Sequence, residues 1–185
     1  MIELENKNPY SKSEILASLN DVSRKVSAYY NSIKPEYFFH DKLGGWSPAQ
    51  NLHHIADIAT GAIFLLRVPR FIFLIFGKVE APRDFQTLLF EYIGSGKVVQ
   101  LGPFAPGRIV AENERKKIGD LLERWEKVNQ ELLEVVKSLP EEELDTYSLP
   151  HPSMGMMSLR EVLYLLIIHP IHHTYKVEQK LAPYM

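Results

Sequence analysis

Three serines, each followed three residues later by a glutamate or glutamine, divide this chain into helices: Ser11 with Glu14, Ser47 with Gln50, and Ser158 with Glu161. In such a capping box the serine oxygen accepts from a free amide of the first turn, while the acidic or amide side chain accepts from the serine's own N–H. Each box fixes a helix start, and Pro48 directly after Ser47 suits the first helical position. A first helix is expected from Ser11 to Ser32, with Ile15, Leu19, Val22, Val26 and Tyr29 or Tyr30 on its inner face. Lys34 to Gly45, with Pro35 and the Gly44-Gly45 pair, reads as a connection, and Trp46 stands where an apolar residue can staple the entry of the next helix.

The second helix is expected from Pro48 to Arg67, with a short helix between Val68 and Gly77 after Pro69 and a break over Gly77 to Pro82. Gly94 to Gly107 is rich in glycine and proline and reads as a loop at a pocket rim. Its GxG lacks the strand and the immediately following helix that phosphate binding requires. A third helix, starting at Asn113 or Lys116 and stopped by Pro140, carries Ile118, Leu121, Leu122, Trp125, Val128, Leu132 and Val135 as its apolar stripe. Glu141 to Met157 reads as a second long loop, and a fourth helix runs from Ser158 to Leu181. Four patterned helices and no convincing strand predict an all-α antiparallel bundle, folded as a single domain over residues 1–185.

A hydrophobic share of 45% supports one sizeable core, and a net charge of −2 with no basic tail or aromatic-arginine platform gives no reason to expect nucleic acid. The chain has no cysteine, which excludes disulfides, thiolate metal ligands and a protein thiol nucleophile, so any metal must be held by nitrogen and oxygen. The polar N-terminal MIELENKNPYSKSE shows no secretory signal, and a cytoplasmic location is expected. Ile58 to Phe76 is the most membrane-like stretch, but Arg67, Pro69 and Arg70 interrupt it, so no membrane span is expected. It reads as a buried helix and a bend, with the apolar Phe71 to Phe76 as a surface that could form a homodimer.

Histidine placement carries the chemistry. His169 and His173 are one turn apart and share a stripe with Leu159, Val162, Leu166 and Val177, so both rings face the core. Two core histidines satisfied by the protein itself is one reading, and a metal-binding pair is the other. On the second helix, His54 lines up with Ile58, Gly61 and Leu65, whereas His53 lines up with Asp57, Thr60 and Phe64. His54 is therefore the inward candidate, and His53 a rim residue oriented by Asp57. His54, His169 and His173 together would leave one position of a metal open for water or substrate. His151 lies in the expected second loop and reads as an exposed or loop-ordering residue, with contact to the site as the weaker reading.

Trp46-Ser47-Pro48-Ala49 with His54 eight residues after the tryptophan, His151-Pro152 and Gly155 before Ser158-Leu159-Arg160-Glu161, and His169 with His173 together resemble the DinB-like superfamily, which includes the YfiT-like metal-dependent hydrolases. The resemblance covers most of the chain and implies a four-helix up-down-down-up bundle. It also implies a nickel or zinc ion on a histidine triad, at the positions matched by His54, His169 and His173. The implied activity is hydrolysis of a small-molecule substrate, or transfer of a low-molecular-weight thiol as in the bacillithiol- and mycothiol-dependent members. A non-catalytic binding or stress-response module of the same fold is the alternative. No general base stands out, because Glu161 is explained by its cap and Asp57 by His53. Two departures from the family pattern stand beside the triad. Lys176 occupies a position where relatives often carry glutamine, and Pro170 inside the last helix is expected to kink it near Leu166 and re-aim His169.

Overall fold

The structure is a computed structural model and describes residues 7–39, 45–94 and 114–184. All three capping boxes form as expected. They start α1 (Lys12–Ser32), α3 (Pro48–Arg67) and α6 (Leu159–Leu181), each with the serine oxygen accepting from the third residue's amide and the reciprocal bond present. The fourth long helix is α5 (Glu114–Ser138). Between them lie the four-residue α2 (Pro35–Phe38), a 3-10 segment at Arg70–Phe76 and α4 (Phe85–Gly94).

Side-chain links fix the direction of each helix. At α1 and α5, Lys12 Nζ donates to Leu139 O at 2.7 Å and Trp125 Nε1 to Ser23 O at 3.2 Å, so the start of one meets the end of the other. At α1 and α6 the starts meet, with Arg160 NH1 donating to Tyr10 O, and so do the ends, where Glu178 acts on Tyr29. Between α3 and α5, Arg124 bonds Asp57 at 2.5 Å and Arg67 bonds Glu131 at 2.6 Å, a parallel pair. Between α3 and α6, Trp46 lies by Lys180 and His54 by His169, an antiparallel pair. The order is up-down-down-up, as the resemblance implied.

The core follows the expected stripes: Ile15, Leu19, Val22, Val26 and Tyr30 from α1, and Trp125, Leu132 and Val135 from α5, are buried against Leu52, Ile55 and Ile63 of α3 and Leu163, Ile167 and Val177 of α6. No single helix among the described residues is long and apolar enough to cross a membrane, and Pro48–Arg67 with Arg70–Phe76 reach that length only as a pair bent by 98°. The Phe71 to Phe76 stretch lies largely on the surface, with Phe71, Leu74 and Ile75 well exposed and Phe73 buried.

Two sequence expectations need correction. Lys34 to Gly45 contains the short helix α2 rather than connection alone, because Pro35 supplies the fixed φ of a first helical position. Glu141 to Met157 is not an irregular loop. A 3-10 turn at Glu141–Glu143 leads to a hairpin of β1 (Ser148–His151) and β2 (Gly155–Ser158), with His151 paired to Gly155. Gly155 takes φ +71°, which closes the three-residue turn, and Pro150 is tolerated because a two-stranded ribbon leaves it on an edge. Helix α6 runs unbroken through Pro170. Of the expected Gly94 to Gly107 loop, everything past Gly94 lies outside the described residues.

Candidate metal centre

Helices α3 and α6 present three imidazoles to one point. His54 Nε2 and His169 Nε2 stand 3.1 Å apart, and one ring nitrogen from each of His54, His169 and His173 lies within 4.8 Å of the other two. Two nitrogens bound to one tetrahedral ion at ordinary zinc distances stand about 3.4 Å apart. The expected re-aiming of His169 by Pro170 is therefore not found. Of the two neighbours His54 faces inward at 7% exposed, while His53 turns to the rim, its Nε2 3.3 Å from Asp57 and its Nδ1 2.9 Å from Arg124.

The far side of each α6 ring is anchored. Asn51, one turn before His54, is buried, and its Nδ2 donates to Trp46 O at 3.2 Å and Ser47 O at 2.9 Å. Its Oδ1 is then left to accept from His173 Nδ1–H at 2.7 Å, which fixes the tautomer and frees the His173 Nε2 lone pair. Tyr92 OH lies 2.7 Å from His169 Nδ1. When the phenol oxygen accepts there, His169 Nε2 is freed in the same way.

Burial also keeps these rings neutral. It pushes His169 down to about 3, helped by His54, His172, His151 and Lys176, and it holds His173 well below the ordinary range, helped by His169, His54 and His172. Three clustered imidazoles, with His169 and His173 held neutral, are a donor set suited to a borderline-soft divalent ion, so the residues present fit the metal that the sequence implied.

Trp46 walls one side, stacked on His173 with ring centroids 5.8 Å apart and edge-on to His54 at 4.9 Å. The expected staple is thus replaced by a contact with the cluster, since the residue a staple would meet on α3 is the polar Asn51. Tyr92 and His172 close another side, their rings 5.4 Å apart, and burial raises the Tyr92 phenol to about 12.

His151 accepts at Nδ1 from the amides of Ser153 and Met154, both at 3.3 Å, the loop-ordering role expected of it. It is also close enough for its charge to depress His169. Neither nearby carboxylate is available: Glu161 is fully buried on Arg83 Nε at 2.5 Å, and Asp57 is held by Arg124 and His53.

Sequence reasoning missed Tyr92 because it missed α4. The signal was there: Asp84 caps the helix, its Oδ1 accepting from Thr87 N at 2.7 Å, and Phe85, Leu88, Leu89 and Tyr92 follow at helical spacing.

Comparison with known proteins agrees with this architecture. The profile of the DinB superfamily matches residues 34–176. Among solved structures, a Bacillus subtilis protein, YfiT, described as a probable metal-dependent hydrolase with an unusual four-helix bundle topology, superposes with a TM-score of 0.59 at 15% identity, over 100% of this chain and 93% of its own. No curated protein matches the chain.

Proposed function

The chain belongs to the DinB superfamily, and from that premise we propose that His54, His169 and His173 hold a divalent metal, zinc or nickel, in a metal-dependent enzyme acting on a small molecule. The observation that carries this reading is the 3.1 Å approach of His54 Nε2 to His169 Nε2 beside a His173 ring whose tautomer Asn51 sets. Three protein ligands leave a position open, as catalytic sites do and structural ones usually do not. Bound there, the ion supplies Lewis acidity, which makes a water or thiol a nucleophile near neutral pH or polarises a carbonyl.

The chain's own residues orient and enclose. Asn51 and Tyr92 hold the α6 rings, Trp46 and Tyr92 wall the opening, and burial keeps His169 and His173 unprotonated. Hydrolysis and low-molecular-weight thiol transfer both fit such a site. A non-catalytic binding module is the second reading, favoured by one observation: Glu161 and Asp57 are committed to Arg83 and Arg124, so neither serves as a free general base. We further propose that the exposed Phe71, Leu74 and Ile75 form a homodimer contact, tested by size exclusion with charges placed at Leu74 and Ile75.

The test of the metal reading is equilibrium dialysis of purified protein against zinc and against nickel, with His54→Ala, His169→Ala and His173→Ala alongside. About one equivalent in the wild type and at least a hundredfold weaker binding in each variant is expected. Absence of stoichiometric binding, or binding undiminished in all three, overturns it. Turnover of ester substrates, or of thiol with an electrophile, then separates enzyme from binder.

A further inference from the structure

Lys176 is explained neither by the bundle core nor by the three ligands. It lies three residues after His173 and seven after His169, on the same face of α6 as the cluster. Those spacings put Lys176 one turn beyond His173 on the stripe that carries both ligand histidines.

The side chain is half-buried. Among the described residues it has no ion-pair partner, and the carboxylates that could have supplied one are engaged elsewhere. Glu161 and Glu91 are on Arg83, and Asp57 is on Arg124. Removing an ammonium from water without a counter-charge is unfavourable, so such a group marks a place where an anion is expected. Three imidazoles around a divalent ion would add positive charge to the same opening, and among the described residues Glu161, Glu91 and Asp57 are paired with arginines.

We propose that the opening takes a small molecule bearing an anionic group, which Lys176 holds while the molecule's other end meets the histidine cluster. The proposal rests on the metal reading and names its substrate class. Three residues of helix separate Lys176 from His173, about 5 Å along the axis, so a short molecule can span the two side chains. A short thiol or hydroxy acid has those dimensions.

The test uses protein loaded with cobalt(II), titrated with 3-mercaptopropionate and with its uncharged isostere 3-mercaptopropionamide. The visible cobalt spectrum reports binding without any turnover. Wild type is expected to bind the acid about tenfold more tightly than the amide, and Lys176→Gln to bind the two equally or to prefer the amide. Lys176→Arg is expected to keep a preference for the acid. Equal binding of acid and amide by the wild type, or a preference that survives in Lys176→Gln, overturns the proposal and leaves the metal reading intact. Failure of the wild type to give a cobalt ligand-field spectrum at all overturns both.

Discussion

Replacing Arg83 with methionine should destabilise the chain more than any other single surface-accessible change near the site. Glu161 is fully buried, and Arg83 Nε reaches it at 2.5 Å. Removing one partner of a buried ion pair costs about 3–5 kcal/mol, because the remaining charge is left in a medium that cannot solvate it. Two features put this case near the lower end. The carboxylate keeps the amides of Ser158 at 2.6 Å and Arg83 at 3.1 Å, and the arginine side chain is itself 19% exposed. The guanidinium also bonds Glu91, Met154 O and Met156 O, partly open contacts that add about 0.5 kcal/mol together. The sum is about 3 to 4 kcal/mol, a drop of roughly 6–15 °C in Tm for a chain of this size.

The double variant Arg83→Met with Glu161→Gln should recover about 2 kcal/mol, since glutamine can still complete the capping box with Ser158 and carries no charge. Urea unfolding followed by circular dichroism at pH 7 measures both. A cost below about 1 kcal/mol for the single variant, or no recovery in the double, would show that the pair does not behave as a buried ion pair.

Acid should destabilise the metal-free chain already above the pH where ordinary carboxylates titrate. His169 falls from 6.5 to about 3 on folding, so the unfolded chain binds its proton first. The stabilisation is whole above about pH 6.5 and is lost as pH falls toward 3. At pH 5 this ring alone removes about 2 kcal/mol, with a smaller share from the half-buried His172, and equal urea midpoints at pH 7 and pH 5 would refute the assignment of a neutral buried ring. Asn51→Leu deprives His173 Nδ1 of its acceptor and should weaken zinc binding about 10–100-fold in a chelator competition, whereas unchanged affinity would mean that the tautomer is set by something else.

The frame was legible because its signals are local. A capping box occupies four consecutive residues, and the stripes of α1 and α5 repeat over five or more turns, so tertiary context had little to overrule. His54 could be separated from His53 for the same reason, since the two rings point to faces of different polarity and only the rim face offers Asp57 and Arg124. The site's enclosure was less visible because short elements depend on their neighbours. Helix α4 has ten residues, too few to be stable alone. The hairpin carries a proline within β1 and gains its place by packing under α6, where Leu159 N donates to Tyr147 O at 3.2 Å and Arg160 N to Leu144 O at 2.9 Å, and by the hold of Arg83 on Met154 O. Tyr92 meets His169, and Arg83 meets the hairpin turn, only once the chain is folded, at separations that no spacing rule spans.

The parallel run of α3 and α5 has a consequence for how such a molecule can diversify. Two rods pointing the same way cannot be joined by a tight turn, so the chain must travel back along the bundle between them. That return stretch carries α4, and with it the tyrosine that flanks the rings and the arginine that fastens the hairpin. The imidazoles themselves ride on the rods. Lengthening, shortening or recomposing the return stretch therefore reshapes what can enter while the nitrogen cage stays where it was, and one frame can be fitted to different guests.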